Sequence, residues 1–187
     1  MKKLLIACSF LLICLASNAQ VETVHLFSKG LSTTGFGLFL HPGFAVGSGN
    51  EISTEFAFDY FQSGERHIAL APLLVGFRHS LDGSGAGWYL EPLVGYSFGG
   101  TDIPKTDAAG NPVLNDGVEV DQKVTGFTAA MGIGYIIPSA VLPLNFGLRY
   151  GHIFVPSGDP SQNMISLRVS YSLAIGKKYA ARTGQTH

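Results

Sequence analysis

From about residue 33 onward, apolar and polar positions alternate with a period of two, in runs of strand length separated by Gly, Pro, Asp and Asn. That period belongs to β-strands, whose successive side chains point to opposite faces. In Ile52–Tyr60 one face carries Ile52, Thr54, Phe56, Phe58 and Tyr60, and the other carries Ser53, Glu55, Ala57 and Asp59. The next run sets Ala69, Ala71, Leu73, Val75 and Phe77 on one side with Arg78 on the other. The same rhythm returns at Trp88–Phe98, Phe127–Tyr135, Leu144–Gly151 and Ile165–Leu173, and less cleanly at Gly35–His41. The pattern predicts strands near 34–47, 51–62, 66–80, 87–98, 123–137, 143–155 and 162–176.

Across these runs the apolar face holds no Asp, Glu, Lys or Arg, while the opposite face is rich in Gly, Ser and Ala with a few charges. A soluble sandwich, or a lipocalin-like secreted carrier, would need a charged outward face. Only 13% of residues are charged although 46% are hydrophobic, against about a quarter charged in ordinary soluble domains. Lipid outside and a narrow polar lumen inside account for both faces. The expected fold is all-β: an antiparallel up-and-down transmembrane β-barrel.

Parity sets the strand number. Bacterial barrels of this type have an even count, short periplasmic turns and longer external loops. The longest connection, 99–122, is expected outside, and counting back from it demands one more outward strand before residue 34. Val24-His25-Leu26-Phe27 is the only candidate and makes eight. Lipid-facing rings should gather at the two interfaces; Tyr60, Phe98, Phe127 and Phe154 fall at the expected outer ends, and Trp88 and Tyr135 at the periplasmic ends.

The first residues add a compartment. Met1-Lys2-Lys3, an apolar run from Leu4 to about Ala16, and Ser17-Asn18-Ala19 before Gln20 form a signal peptide pattern with cleavage expected after Ala19. The organisation is then 1–19 signal peptide, 20–176 barrel and 177–187 polar tail. Both cysteines, Cys8 and Cys14, lie in the first segment, so the mature part offers neither disulfide nor thiol chemistry. Removing Lys2 and Lys3 from the 12 basic residues leaves 10 against 13 acidic, a net charge near −3 that does not invite nucleic acid.

Six charges are expected inside the barrel: Glu55, Asp59, Arg78, Glu91, Arg149 and Arg168. An eight-stranded barrel is just wide enough for side chains to fill, so these are expected to form a structural ion-pair network and to occlude the lumen. Glu55, Arg78 and Glu91 are expected at similar heights on consecutive strands. The loop 99–122 carries Asp102, Asp107, Asp116, Glu119 and Asp121 against Lys105, but its spacing matches no calcium loop. No phosphate loop, zinc motif or dinucleotide fingerprint occurs. No cofactor, metal or catalytic residue is expected.

Over residues 22–176 the chain resembles small outer-membrane β-barrels of the OmpA/OmpX-like kind, by its alternation, turn spacing and leader. The resemblance implies a monomer set in outer-membrane lipid, non-enzymatic, with any extracellular ligand or envelope partner met by the outer loops. A second, fainter resemblance is to lipid A deacylase barrels, at Gly147–His152 followed by Pro156-Ser157-Gly158. Where that family places a nucleophilic Ser and an Asn after its catalytic His, this chain has Phe154 and Val155, so His152 lacks the neighbour that a Ser-His mechanism requires.

Overall fold

The computed structural model describes residues 20–107, 111–138, 144–156 and 159–171. The expected leader and the tail 177–187 lie outside the described residues. Eight antiparallel strands form the wall: β1 (Gln20–Ser28), β2 (Leu31–Leu40) continued by β3 (Gly43–Gly47), β4 (Asn50–Ser63), β5 (Arg66–Ser80), β6 (Gly87–Thr101), β9 (Gly126–Ile137), β10 (Leu144–Phe154) and β11 (Gln162–Tyr171). Each pairs with the next along the chain, and β1 pairs with β11, which closes the barrel. A small hairpin, β7 (Leu114–Asn115) and β8 (Val118–Glu119), stands in the longest loop.

The wall differs from the expected boundaries in three places. The first strand is longer than Val24–Phe27, because Gln20–Thr23 pair in register with Leu167–Ser170. The second is broken at His41-Pro42: proline has no N–H to give the ladder, and its carbonyl instead accepts from Thr54 N at 2.9 Å. The sixth begins at Gly126 rather than 123 and β6 runs on to Thr101, so the long loop is 102–125.

The tight turns answer to glycine. Gly30 (φ +80°) completes the Lys29-Gly30 turn, a conformation that costs glycine little. A Cβ on Gly49 (φ +74°) would lie 2.6 Å from Gly83 Cα, so the turns after β3 and β5 meet only because Gly49 is bare.

Outward positions are apolar as expected: Phe36, Phe56, Phe58, Val75, Trp88, Val94, Phe98, Leu148 and Leu167 are all exposed. Apart from Arg66 at the rim, no exposed residue of the described wall strands is charged. Trp88 stacks edge-on to Tyr135 at 5.3 Å, and Phe127 lies 5.9 Å from Phe154. The two ring pairs sit at opposite ends of the wall.

Candidate functional site

The interior has two layers. Toward the long-loop end, Val24 and Leu26 of β1, Phe61 of β4, Ile68 and Leu70 of β5, Ile153 of β10 and Met164 of β11 join Val124 in one buried apolar cluster. Leu31, Ile103 and Val155 pack on it from the rim. Here the inward face is the apolar one, a reversal of the alternation that rules the outer surface.

Toward the end that holds Gln20 and Tyr171, here the terminal end, the inward face is charged. Glu55 is fully buried. It accepts from both terminal nitrogens of Arg149, and from Arg168 Nη1 at 2.7 Å. Arg168 turns its other edge to Glu22, with Nε to Oε2 at 3.0 Å and Nη2 to Oε1 at 3.2 Å. A planar guanidinium serves two carboxylates in this way because its donors form a rigid fork. Its carbon also lies 3.6 Å from the centre of the Phe39 ring.

The His41 ring lies between this group and the next, Nδ1 at 3.2 Å from Glu55 Oε2 and Nε2 at 2.9 Å from Glu91 Oε1. Ser53 Oγ donates to Glu91 Oε1 at 2.9 Å. Arg78 closes the terminal mouth, 3.4 Å from Glu91 Oε2 and 3.8 Å from Glu51, with its guanidinium 4.4 Å over the Tyr89 ring. Of the six sequence-derived residues, then, Glu55, Arg149 and Arg168 meet directly and Arg78 meets Glu91. Asp59 is buried at 3% exposure with its Oδ1 unpartnered among the described residues.

Arg78 is not level with Glu55. It pairs across the ladder with Glu51, while Glu55 pairs with Leu74 four residues deeper. Heights counted from strand ends ignore the stagger that closing a tilted barrel requires, and that stagger brings Arg149 and Arg168 across to Glu55 instead. Sequence reasoning missed Glu22 and His41. Glu22 was legible in principle, since it shares a face with Val24 and Leu26, but that face reads as apolar; His41 sits at the strand break.

The long-loop end is ordered by backbone pairing. Lys105 N donates to Val120 O at 2.7 Å, Val113 N to Lys105 O at 2.8 Å, and Gln122 N to Ile103 O at 2.8 Å. The Lys105 ammonium reaches Asp159 Oδ1 at 2.8 Å, tying this loop to the one before β11. His152 Nδ1 lies 2.8 Å from Asn163 Oδ1, and its ring meets Phe154 edge-on at 4.4 Å. Among the described residues no group of three or more His, Cys, Asp or Glu could hold a metal ion.

No protein-family model matches the chain, and no curated protein matches its sequence. Solved structures do match by shape. Neisserial surface protein A superposes with a TM-score of 0.59 at 13% identity, over 83% of this chain and 94% of that one. The attachment invasion locus protein Ail of Yersinia pestis gives 0.51 at 12% identity, over 83% and 97%. The outer-membrane enzyme PagL gives 0.50 at 12% identity, over 82% and 98%. At such identities the likeness is one of fold, and that fold is shared by an enzyme and by surface proteins. With its closed wall and apolar exterior, the chain has the eight-stranded antiparallel β-barrel fold that these small outer-membrane proteins share.

Proposed function

We propose that this barrel is a non-enzymatic outer-membrane component that acts through its long-loop end and does not pass solutes. The observation that carries the reading is the apolar layer across the lumen at that end, stacked on a layer of paired charges. A water-filled pore needs a continuous polar lining, and Leu26, Phe61, Leu70 and Ile153, each at 0% exposure or, for Ile68 beside them, 1%, interrupt it. In this reading the chain is exported with cleavage after Ala19, acts as a monomer in lipid, and presents the long-loop end outward. Glu55, Asp59, Arg78, Glu91, Arg149 and Arg168 are then structural: they fill the lumen, and all of them but Asp59 are paired with an opposite charge.

His152 accords with the non-enzymatic reading, since among the described residues its ring is met by Asn163 and Phe154. An extracellular ligand remains a matter for the loops. Ail has been seen with sucrose octasulfate, a heparin analogue; loop 102–125 here carries five carboxylates against Lys105 and Lys123, a charge that repels such a polyanion. Planar-bilayer recording of the refolded protein tests the closure. The expected result is no stable conductance, and large, long-lived openings overturn it. Incubation with lipid A, read by loss of an acyl chain, tests the absence of enzymatic activity.

A further inference from the structure

The charged groups of the lumen meet at one ring. Glu55, Arg149, Arg168 and Glu22 form the deeper group, and Glu91, Ser53 and Arg78 form the group at the terminal mouth. Among the described residues His41 alone touches both, with Nδ1 toward Glu55 and Nε2 toward Glu91.

The two ring nitrogens keep different company. Glu55 already accepts from Arg149 and Arg168, so its carboxylate has no hydrogen to offer. Nδ1, 3.2 Å from Glu55 Oε2, therefore carries a hydrogen in either state of the ring, since a bare nitrogen would set one lone pair against another. Nε2 has two neighbours of opposite kind. Glu91 Oε1, at 2.9 Å, accepts, whereas Arg78 Nη2, at 3.1 Å, donates. With a proton on Nε2 the ring is a cation that donates to Glu91. Without it, the bare Nε2 accepts from Arg78, and Glu91 keeps Ser53 and its own contact with Arg78. Both states of the ring find partners in place, which is what a histidine needs in order to exchange a proton without unfolding its surroundings.

We propose that His41 is a proton-operated switch at the terminal mouth, in which Nε2 exchanges the proton and Arg78 changes partner. In the protonated state the imidazolium ties Glu55 to Glu91, and Arg78 is left to Glu91 Oε2 and Glu51. In the unprotonated state Arg78 is drawn onto Nε2 and the tie between the two groups is cut. The proton has a short way to travel: the His41 side chain is 5% exposed, Arg78 beside it 14%, and Glu51 at the opening 33%. The charges around the ring come from most of the wall. β4 supplies Glu55 and Glu51, β5 Arg78, and β6 Glu91 together with Tyr89, whose ring lies against the Arg78 guanidinium. Arg149 of β10 and Arg168 of β11 stand behind Glu55, with Glu22 of β1 behind Arg168. β9 faces this region with Gly132 and Gly134, which carry no charge.

The test is nuclear magnetic resonance of the refolded chain in lipid vesicles, with nitrogen-15 in its histidine rings, titrated from about pH 4 to 10. The shift of each ring nitrogen distinguishes a protonated site from a bare one. Both nitrogens of His41 are expected to be protonated at the acid end, and Nε2 alone to give up its proton as the pH rises. The His41 signals are those lost in His41→Gln. At the pH where half the rings are protonated, Glu91→Gln should leave Nε2 mostly bare, and Arg78→Gln should leave it mostly protonated. These two variants also identify the ring if His41→Gln does not refold. The proposal is overturned if Nδ1 is the nitrogen that loses its proton, if the ring keeps one protonation state across the range, or if either substitution leaves its balance unmoved.

Discussion

Glu55 and Arg149 offer an asymmetric test of the lumen. Glu55 has three cationic or imidazole neighbours, Arg149, Arg168 and His41, whereas Arg149 has Glu55 as its one ion-pair partner among the described residues. Replacing Glu55 with Leu therefore strands Arg149, only 8% exposed, and the expected loss is about 3–5 kcal/mol, the cost of an uncompensated buried charge. Replacing Arg149 with Leu leaves Glu55 held by Arg168 and His41, and should cost less, about 1–3 kcal/mol. In the double variant Arg168 keeps its two-pronged contact with Glu22 and no guanidinium is stranded. It should lie closer to Arg149→Leu than to the sum of the single changes, a coupling of about 2 kcal/mol. Urea titrations in vesicles, read by Trp88 fluorescence, measure all three. Equal single losses that simply add would show that the pair does not meet as described.

Three further outcomes are expected. Leu148→Arg, on the exposed outer face near the middle of β10, should cost about 2–4 kcal/mol as a cation at the bilayer midplane, while Ser170→Asn on the inner face should be mild; equal effects in refolding titrations would refute the face assignment. Lys105→Ala leaves the buried Asp159 without its ammonium, so limited proteolysis should cut within 102–125 faster while the wall strands stay protected; unchanged cutting would show that the contact does not hold the loop. In the turn after β5, donation from the Ser80 hydroxyl, then from Ser84 N and Oγ, pulls the Asp82 carboxyl down to about 2. Its contribution is complete above the usual carboxylate value near 4 and is lost as pH falls toward 2; being exposed it is small, and acid titration of Asp82→Asn should lack that component.

The outer surface was legible because lipid imposes one rule on every strand. Any run whose odd positions are Ile, Phe, Leu, Val or Tyr and whose even positions are Gly, Ser or a charge declares its two faces, as β4, β6, β9 and β11 do. Hidden from the sequence was whatever depends on stagger. Counted from the same end of the wall Arg78 and Glu55 fall at similar heights, yet the ladder sets Arg78 opposite Glu51, and only closure of the barrel brings Arg168 of the last strand within reach of Glu22 of the first. His41 escaped notice for a different reason. The period of its run sets it on the face of Gly35, Gly37 and Phe39, but an imidazole is not counted among the charges, and the run ends at Pro42.

The weak alternation of β1 has the same origin as the buried apolar layer. A strand that crosses lipid beside a polar lumen contrasts its faces; one that crosses beside an apolar plug does not. Val24 and Leu26 point inward at 2% and 0% exposure while His25 points out, where Thr34 and Ser32 of β2 hold its ring. Glu22, two residues earlier on the same inner face, meets Arg168. Within one strand the interior thus changes from charged to apolar, and the change falls at the boundary between the ion-paired layer and the plug. The poor amphipathicity that made this strand hard to find therefore follows from the plug it helps to build. A small outer-membrane barrel with one such unconvincing strand is accordingly expected to be sealed at the end where that strand's inward residues are apolar.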